Sequence, residues 1–576
     1  MGITGSVKTL VRTAVALFVI FGIVQVADAA TITVNSLADP GGQGICALRD
    51  AITAANTEAS FNGCAAGGGN DTIVFSVTGT ITLGGPLPAV ANTLTIQGPA
   101  VSPPAITVDG AHQFQVLSFE SGATLNVNNV SIANGTGGIT IVNGSGIARG
   151  MLNVNHCTFS GNSASGGGAI DAVWMSITDS NFVGNSSTDP LLGGGAILGF
   201  GTEDGAILNV TNDTFSDNTS ASVGAAILDF YGSPAVANST FVGNSASLGG
   251  AIFLLGNASV GGSLSVTNST FSGNSANTGG AIYNASGSLE ATNNTFVGNS
   301  ASDGAGIVNF DGTADVKGAI LAGNSGGNCF AFSGAVTDVG YNLSDDDSCE
   351  FNQSSSANNV TDAELNLDPN GLQSNGGPAQ TIALESGSVA INQIPVSDCT
   401  DQSSPPARLL TDQRGVLRPQ FTACDIGAYE YDTARSLKTA ALNAIQNTTG
   451  GNTADNSALK VAAANLAQAV RFYWSGTSGN ELNPVAGILD FLAEERAVNA
   501  LSRTLIPSSQ LPAATIENYL FNITLADRTL AVVAIAGAGG NAEASQLVTQ
   551  GDAKAADEDY LDAIISYQKA WSLVTG

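Results

Sequence analysis

Phenylalanine returns at Phe159, Phe182, Phe215, Phe241, Phe271 and Phe296, and each is followed three residues later by asparagine. Those asparagines are Asn162, Asn185, Asn218, Asn244, Asn274 and Asn299. Between successive units runs a second motif, Gly/Ala-Ala/Gly-Ile, which ends at Ile170, Ile197, Ile227, Ile252, Ile282 and Ile307. The period is 23 to 33 residues. A repeat of this length describes one small unit stacked many times, because a single unit cannot bury its own apolar face.

The unit is a β coil. Five residues before each Phe stand Val154, Ile177, Val210, Val236, Val266 and Ala291, and seven before stand Leu152, Met175, Leu208, Pro234, Leu264 and Leu289. That alternation is a strand with one buried face. His156, Asp179, Asn212, Asn238, Asn268 and Asn293 precede Phe by three, where short polar side chains suit a turn. A helical solenoid would carry a 3.6-residue period and few glycines, whereas Gly numbers 71 in this chain. The reading is a right-handed parallel β-helix, its handedness following the general crossover preference. Stacking then places Phe on Phe, Ile on Ile, and the six asparagines in one amide ladder.

Weaker coils flank the core, upstream at 72–75, 80–83, 94–96 and 125–132 and downstream at 316–321 and 336–339. The expected divisions are an export signal (1–29), an N-terminal cap (30–68), the β-helix (69–360), a closing region (361–432) and an α-helical domain (433–576). A short amphipathic helix over 46–56 suits the cap, since an open sheet edge invites aggregation. The 361–432 segment is expected to close the other end. Beyond residue 433 an Ala/Leu pattern predicts helices over 434–446, 458–474, 485–505, 513–536, 542–556 and 560–574, a small bundle.

Charge and cysteine usage narrow the class. The formal charge is −30 with Lys and Arg together only 17, so nucleic acid and anionic membranes are poor partners. Lys8 and Arg12, an apolar run over 14–24 and Ala27-Asp28-Ala29 read as a cleavable export signal, the alternative being a retained anchor. No later run is read as a transmembrane span. Export permits disulfides, and local pairs suggest themselves: Cys46 with Cys64, Cys329 with Cys349, and Cys399 with Cys424. Spacing alone leaves that connectivity open. Cys157 is left over and reads as a free surface thiol.

The alternating GGAI and FxxN motifs resemble the repeats of the chlamydial polymorphic outer-membrane proteins. Gly249-Gly250-Ala251-Ile252 and Gly279-Gly280-Ala281-Ile282 carry the first motif fully, while Gly224-Ala225-Ala226-Ile227 and Gly304-Ala305-Gly306-Ile307 depart from it. This resemblance implies a β-helical passenger with adhesive roles. The run Cys46-Ala47-Leu48-Arg49-Asp50-Ala51-Ile52 through Asn56, with Leu94-Thr95-Ile96-Gln97-Gly98-Pro99 after it, resembles the CSLREA domain. Asn375-Gly376-Gly377-Pro378, Asp412-Gln413-Arg414-Gly415 and Cys424-Asp425-Ile426-Gly427-Ala428-Tyr429-Glu430 resemble the choice-of-anchor Q region.

Catalysis is weighed against ladder packing. Between residues 130 and 330 only Arg149 and Lys317 are basic against 12 carboxylates, so an anionic polysaccharide would be repelled. Hydrolysis of a neutral sugar needs two carboxylates across a cleft. Asp179 with Asp204 or Asp213 is the candidate pair, although Asp179 also fits a ladder slot. His156 fits the same slot better than a general base, and His112 has no partner motif. No zinc pattern is present. Calcium has two weak candidates, Asp345-Asp346-Asp347 and Gly67-Gly68-Gly69-Asn70-Asp71.

Aromatic residues follow the isoleucines: Trp174, Phe200, Phe230, Phe253, Tyr283 and Phe310. In a continuing strand, positions one or three beyond a buried Ile face outward. They would form a stripe able to stack on sugar rings or a partner protein, unless an intervening turn sends them into the core. Loop insertions cluster at the corner after this strand. The reading is a non-catalytic, exported surface or secreted rod binding glycan or protein. The alternatives are a polysaccharide-active enzyme and a structural envelope component.

Overall fold

The structure, a computed structural model, describes residues 29–142, 150–191, 193–201, 208–257, 261–475 and 478–576. Nearly all of the expected export signal, together with Arg149 and Asp204, lies outside them. The repeats form a parallel β-helix with three long sheets. The first has twelve strands, from Thr31–Val34 to Ala335–Gly340. The second has eleven, from Gly79–Thr82 to Leu343–Ser344, and the third nine, from Leu117–Glu120 to Cys329–Phe332. One turn runs through Ser263–Thr267, Thr270–Ser272 and Ile282–Ala285 before rejoining the first sheet at Ser288–Thr292.

Register is residue on residue. Phe159 pairs with Phe182, then Phe215, Phe241, Phe271 and Phe296. The rings stack with centroids 4.7 to 4.9 Å apart, which is the spacing of neighbouring strands. All six are fully buried. Ile170 through Ile307 form a second inward column on the third sheet.

The corner between the first and second sheets needs a left-handed residue. His156, Asp179, Asn212, Asn238, Asn268 and Asn293 hold it with φ between 47° and 63°. Asn and Asp tolerate that region because their short side chains bond locally, so the slot favours them over branched residues.

At the N-terminal end, helix α1 (Leu48–Thr57) lays Leu48, Ala51, Ile52 and Ala55 on the same core as Ile32 and Val34. The Cys46–Cys64 disulfide ties the entry to this helix. At the far end the Cys329–Cys349 disulfide holds a short segment whose Phe351 enters the rod core. Ala357 of this segment pairs with Leu343 of the last rung, so 345–360 covers that end of the rod. The 361–432 segment begins with α2 (Asp362–Leu365) and then lies along the outer flank of the rod. Gln402 donates to Thr292 Oγ1 at 2.9 Å, Asn268 to the Thr411 carbonyl at 2.9 Å, and Gln413 to Thr240 Oγ1 at 2.7 Å. These contacts span several rungs because the flank presents hydroxyls and amides that only an adjacent chain can pair.

Helices α3 (Ala434–Asn447), α4 (Thr453–Phe472), α5 (Ile488–Ser502), α6 (Ala513–Gly537), α7 (Ala542–Ala556) and α8 (Tyr560–Thr575) follow, packed around a core of their own. Asn452 caps α4 by accepting from the Ala454 and Asp455 amides, so that helix starts a turn earlier than its apolar pattern. By length and composition α6 is apolar enough to cross a membrane, yet it buries Asp527 inside the bundle and Asn522 against Gly415 and Leu417 of the flanking region.

Candidate functional site

Two polar ladders run up the rod interior. In the first, the Nδ2 groups of Asn162, Asn185, Asn218, Asn244 and Asn274 each donate to the Oδ1 of the next asparagine at 2.9 to 3.0 Å as far as Asn299, which passes the ladder on to the half-buried Asn324 at 2.9 Å. Each Nδ2 also donates to a carbonyl one rung back, as Asn244 does to Phe215 at 3.0 Å. The six from Asn162 to Asn299 are fully buried. The second ladder runs from backbone to side chain. The amides of Cys157, Ser180, Asp213, Ser239 and Ser269 donate in turn to Ser180 Oγ, Asp213 Oδ1, Ser239 Oγ, Ser269 Oγ and Asn294 Oδ1.

The candidate catalytic groups separate accordingly. Asp213 is an interior rung, accepting from the Ser180 and Thr211 amides at 2.7 and 2.9 Å, and burial pushes its carboxyl well above the usual range. Asp179 is a corner residue that accepts from Asn212 Nδ2 at 3.1 Å. His156 is exposed at the same corner, its Nδ1 on Asn155 Oδ1. Cys157 is not a surface thiol. It faces inward, 1% exposed, with Sγ 3.3 Å from the Val127 carbonyl, and burial pushes the thiol up to about 12. His112 is exposed in a left-handed turn. A cleft of about 380 Å³ lies at this corner, lined by Asn155, His156, Asp179 and, from the α7–α8 connection, Asp557 and Glu558.

The aromatic stripe divides in two. On the outward face of the third sheet, register aligns Leu198, Leu228, Phe253, Tyr283, Val308 and Phe330 in one column. Phe200, Phe230, Leu255, Ala285, Phe310 and Phe332 form the other. Phe253 stacks on Tyr283 at 5.1 Å and Phe310 on Phe332 at 5.0 Å. An unbroken exposed stripe is not what results. Phe230 and Phe253 are buried in an outer apolar cluster with Val223 and Leu228, while Tyr283 and Phe310 are half-buried. Trp174 belongs to the first sheet, opposite Met151, because the strand Ile170–Ala172 is too short to carry it. Exposure rises at the ends of the columns: Phe200 is 38% exposed, Phe330 38% and Phe332 54%. Sequence reading missed Phe330 and Phe332. Their signal was Gly326-Gly327-Asn328-Cys329, a decayed GGAI motif whose terminal Cys stands where the isoleucines stand.

The calcium candidates are engaged as turn acceptors. Asp345 accepts from Asn328 Nδ2 and the Gly323 amide, and Asp346 from the Asn328 and Ser348 amides. Asp71 accepts from the Ala30 and Gly68 amides. Disulfides join Cys46 to Cys64, Cys329 to Cys349 and Cys399 to Cys424, as the local pairing suggested.

Two stretches of the rod match a known repeat. The model of the Chlamydia polymorphic membrane protein repeat fits residues 156–173 and 268–285. Each stretch carries one corner residue, one Phe of the stacked column, one ladder asparagine and one inward Ile. The match therefore falls on the residues that set rung register. No curated protein matches the chain.

Two buried charged clusters escaped sequence reading. In the flanking region, Arg414 lies between Asp412 and Asp432 with its guanidinium 3.5 Å from the Tyr429 ring centroid, and Arg418 pairs with Glu430 at 2.7 Å. The motifs at 412–415 and 424–430 thus fold against each other. In the bundle, Lys438 of α3 meets Asp490 and Glu494 of α5 and Asp527 of α6, all four fully buried. Burial pushes the Asp490 and Glu494 carboxyls up, while the three acids hold the lysine charged against the same burial. The one readable signal was Asp490 and Glu494, four apart on a helix whose other buried residues, Phe491, Ala493, Ala497, Val498, Ala500 and Leu501, are all apolar.

Proposed function

We propose that this chain is an exported rod, displayed at the cell surface or released from it, that binds glycan or protein partners without catalysing a reaction. The observation that carries the reading is the exposed Phe332, stacked on the half-buried Phe310 and beside the exposed Phe330, where the outward columns of the third sheet end. A flat aromatic surface on a rigid scaffold presents large apolar area at little cost in side-chain entropy, which suits stacking on sugar rings. The repeat match supports a surface role, and three disulfides suit an oxidising compartment. The carboxylate excess disfavours nucleic acid and anionic membranes. This reading requires no cofactor.

The test is a binding screen of the full chain on glycan arrays and whole cells, with Phe330→Ala and Phe332→Ala beside it. Loss of binding by both variants at unchanged melting temperature supports the reading, and unchanged binding rejects it. Self-association lost with the same variants would instead favour a structural envelope component.

A second reading rests on the corner cleft, where Asp179 and His156 of the rod face Asp557 and Glu558. Carboxylates converging on a groove are what hydrolysis of a neutral polysaccharide requires. Turnover assays on the screened sugars, repeated with Asp179→Asn, decide it: cleavage abolished by that variant establishes an enzyme.

A further inference from the structure

Lys438 brings one ammonium to three carboxylates inside the helical bundle. It contacts one oxygen each of Asp490, Glu494 (2.8 Å) and Asp527 (3.3 Å). Asp490 and Glu494 lie one turn apart on α5, so both project to the same side, and α6 supplies Asp527 from a neighbouring helix. With all three acids ionised the cluster holds a net charge of −2. Such a surplus is not sustained in a dry core. Lys438 already spends its donors on these acids, and its other close neighbour is the Trp474 ring, 5.2 Å away.

A second observation indicates what balances the charge. Glu494 Oε1 and Asp527 Oδ1 meet only the Lys438 ammonium, and Asp490 Oδ1, Glu494 Oε2 and Asp527 Oδ2 meet no N–H or hydroxyl donor, although all three side chains are fully buried and directed into the cluster. Asp213 and Asp412 find amide donors for their buried carboxylates, and where single oxygens elsewhere lack one, as in Asp50 and Asp71, the other oxygen of the same carboxylate accepts; here three carboxylates face one another around a single ammonium. One oxygen from each of the three acids lies within 4.8 Å of the others, a spread that a single ion bonded at about 2.0 to 2.6 Å spans.

We propose that Asp490, Glu494 and Asp527 bind one hard divalent cation, of the Mg²⁺, Mn²⁺ or Ca²⁺ class, inside the helical domain. The ion and Lys438 together bring the cluster to neutrality. An all-oxygen donor set without His or Cys favours such cations over Zn²⁺ or Cu²⁺. Because the site is enclosed, the ion enters as the bundle folds and acts as a structural staple between α5 and α6.

The test refolds the full chain from denaturant in EDTA or in Mn²⁺, with Asp527→Asn and the isosteric double variant Glu494→Gln/Asp527→Asn alongside. The expected result is about one Mn²⁺ retained per wild-type chain after desalting, by elemental analysis and Mn²⁺ paramagnetic resonance, with a higher melting temperature than the EDTA sample. Asp527→Asn should weaken retention about tenfold or more. The double variant should fold, retain no Mn²⁺ and melt at the same temperature in both media. The proposal is overturned if wild type retains no Mn²⁺ and melts identically with and without it, since the surplus charge is then removed by protonation. Equal retention by wild type and the double variant overturns it as well, by placing the ion elsewhere.

Discussion

Asn244 donates through Nδ2 to Asn274 Oδ1 at 2.9 Å on one side, while its own Oδ1 accepts from Asn218 at 2.9 Å on the other. The same Nδ2 reaches the Phe215 carbonyl, and the Asn218 backbone amide also ends on Asn244 Oδ1. One side chain therefore satisfies buried groups on both neighbouring rungs. Asn244→Ala orphans several of them at once. Each unsatisfied buried group costs about 1–3 kcal/mol, so a loss of about 3 kcal/mol or more is expected from denaturant melts. Because the rod is quasi-one-dimensional, hydrogen exchange should accelerate first around residues 215–274 and least near α1.

Asp213 and Asp229 make the rod pH-sensitive. Burial pushes Asp229 up to about 6 and Asp213 well above the usual range, against some lowering by backbone amides. A carboxyl raised in the folded state contributes stability that is fully present below its unfolded value, near 4, and is lost as pH rises through the folded value. For Asp229 the shift corresponds to about 3 kcal/mol lost by pH 7, at about 1.4 kcal/mol per unit. Asn284 and Asn309 occupy the equivalent inward position on later rungs. Asp229→Asn should therefore raise the melting temperature at pH 7, leave it nearly unchanged at pH 4, and flatten the stability profile between pH 4 and 7.

Cys157 should be silent toward thiol reagents in the folded protein. Its sulfur is enclosed, and burial holds the thiol near 12, so almost no thiolate exists at pH 8. Alkylation should appear only on denaturation. Cys157→Ser should change stability by less than about 1 kcal/mol, since Ser180, Ser239 and Ser269 fill the same ladder column.

The ladders and columns could be read from sequence because stacking maps one chain position onto the same place in every rung. Phe159 to Phe296 repeat in the sequence for the reason that they touch in the structure. Legibility failed where the repeat decays or the contact is not periodic. Trp174 moved to another sheet because its strand closes after Ala172, and Phe332 was hidden behind a broken motif. The 361–432 segment reads as a terminal plug, yet it meets hydroxyls and amides along the flank as well as Ile320 and Leu343 of the last rungs, and no local pattern reports such partners. Lys438, Asp490, Glu494 and Asp527 look like ordinary helix charges until three helices bring them together.

Arg414 is the test of how the flanking region holds its shape. Its Nη2 reaches Asp412 Oδ2 at 2.7 Å and the Glu430 carbonyl at 2.6 Å, while Asp432 lies at 2.8 Å and Tyr429 covers the guanidinium. The neighbouring Gln413 joins this knot to the rod, accepting from Thr270 Oγ1 at 2.5 Å and donating to Thr240 Oγ1 at 2.7 Å. Arg414→Ala leaves Asp412 and Asp432 buried without their counter-charge, at an expected cost of about 3–5 kcal/mol. Arg414→Lys keeps the charge but loses the planar fork, so it should recover only part of that loss. In both variants protease should cut between residues 375 and 432 while the Phe column stays protected. Simultaneous loss of the rod and the flank would show instead that the flanking segment is part of the rod's own cooperative unit.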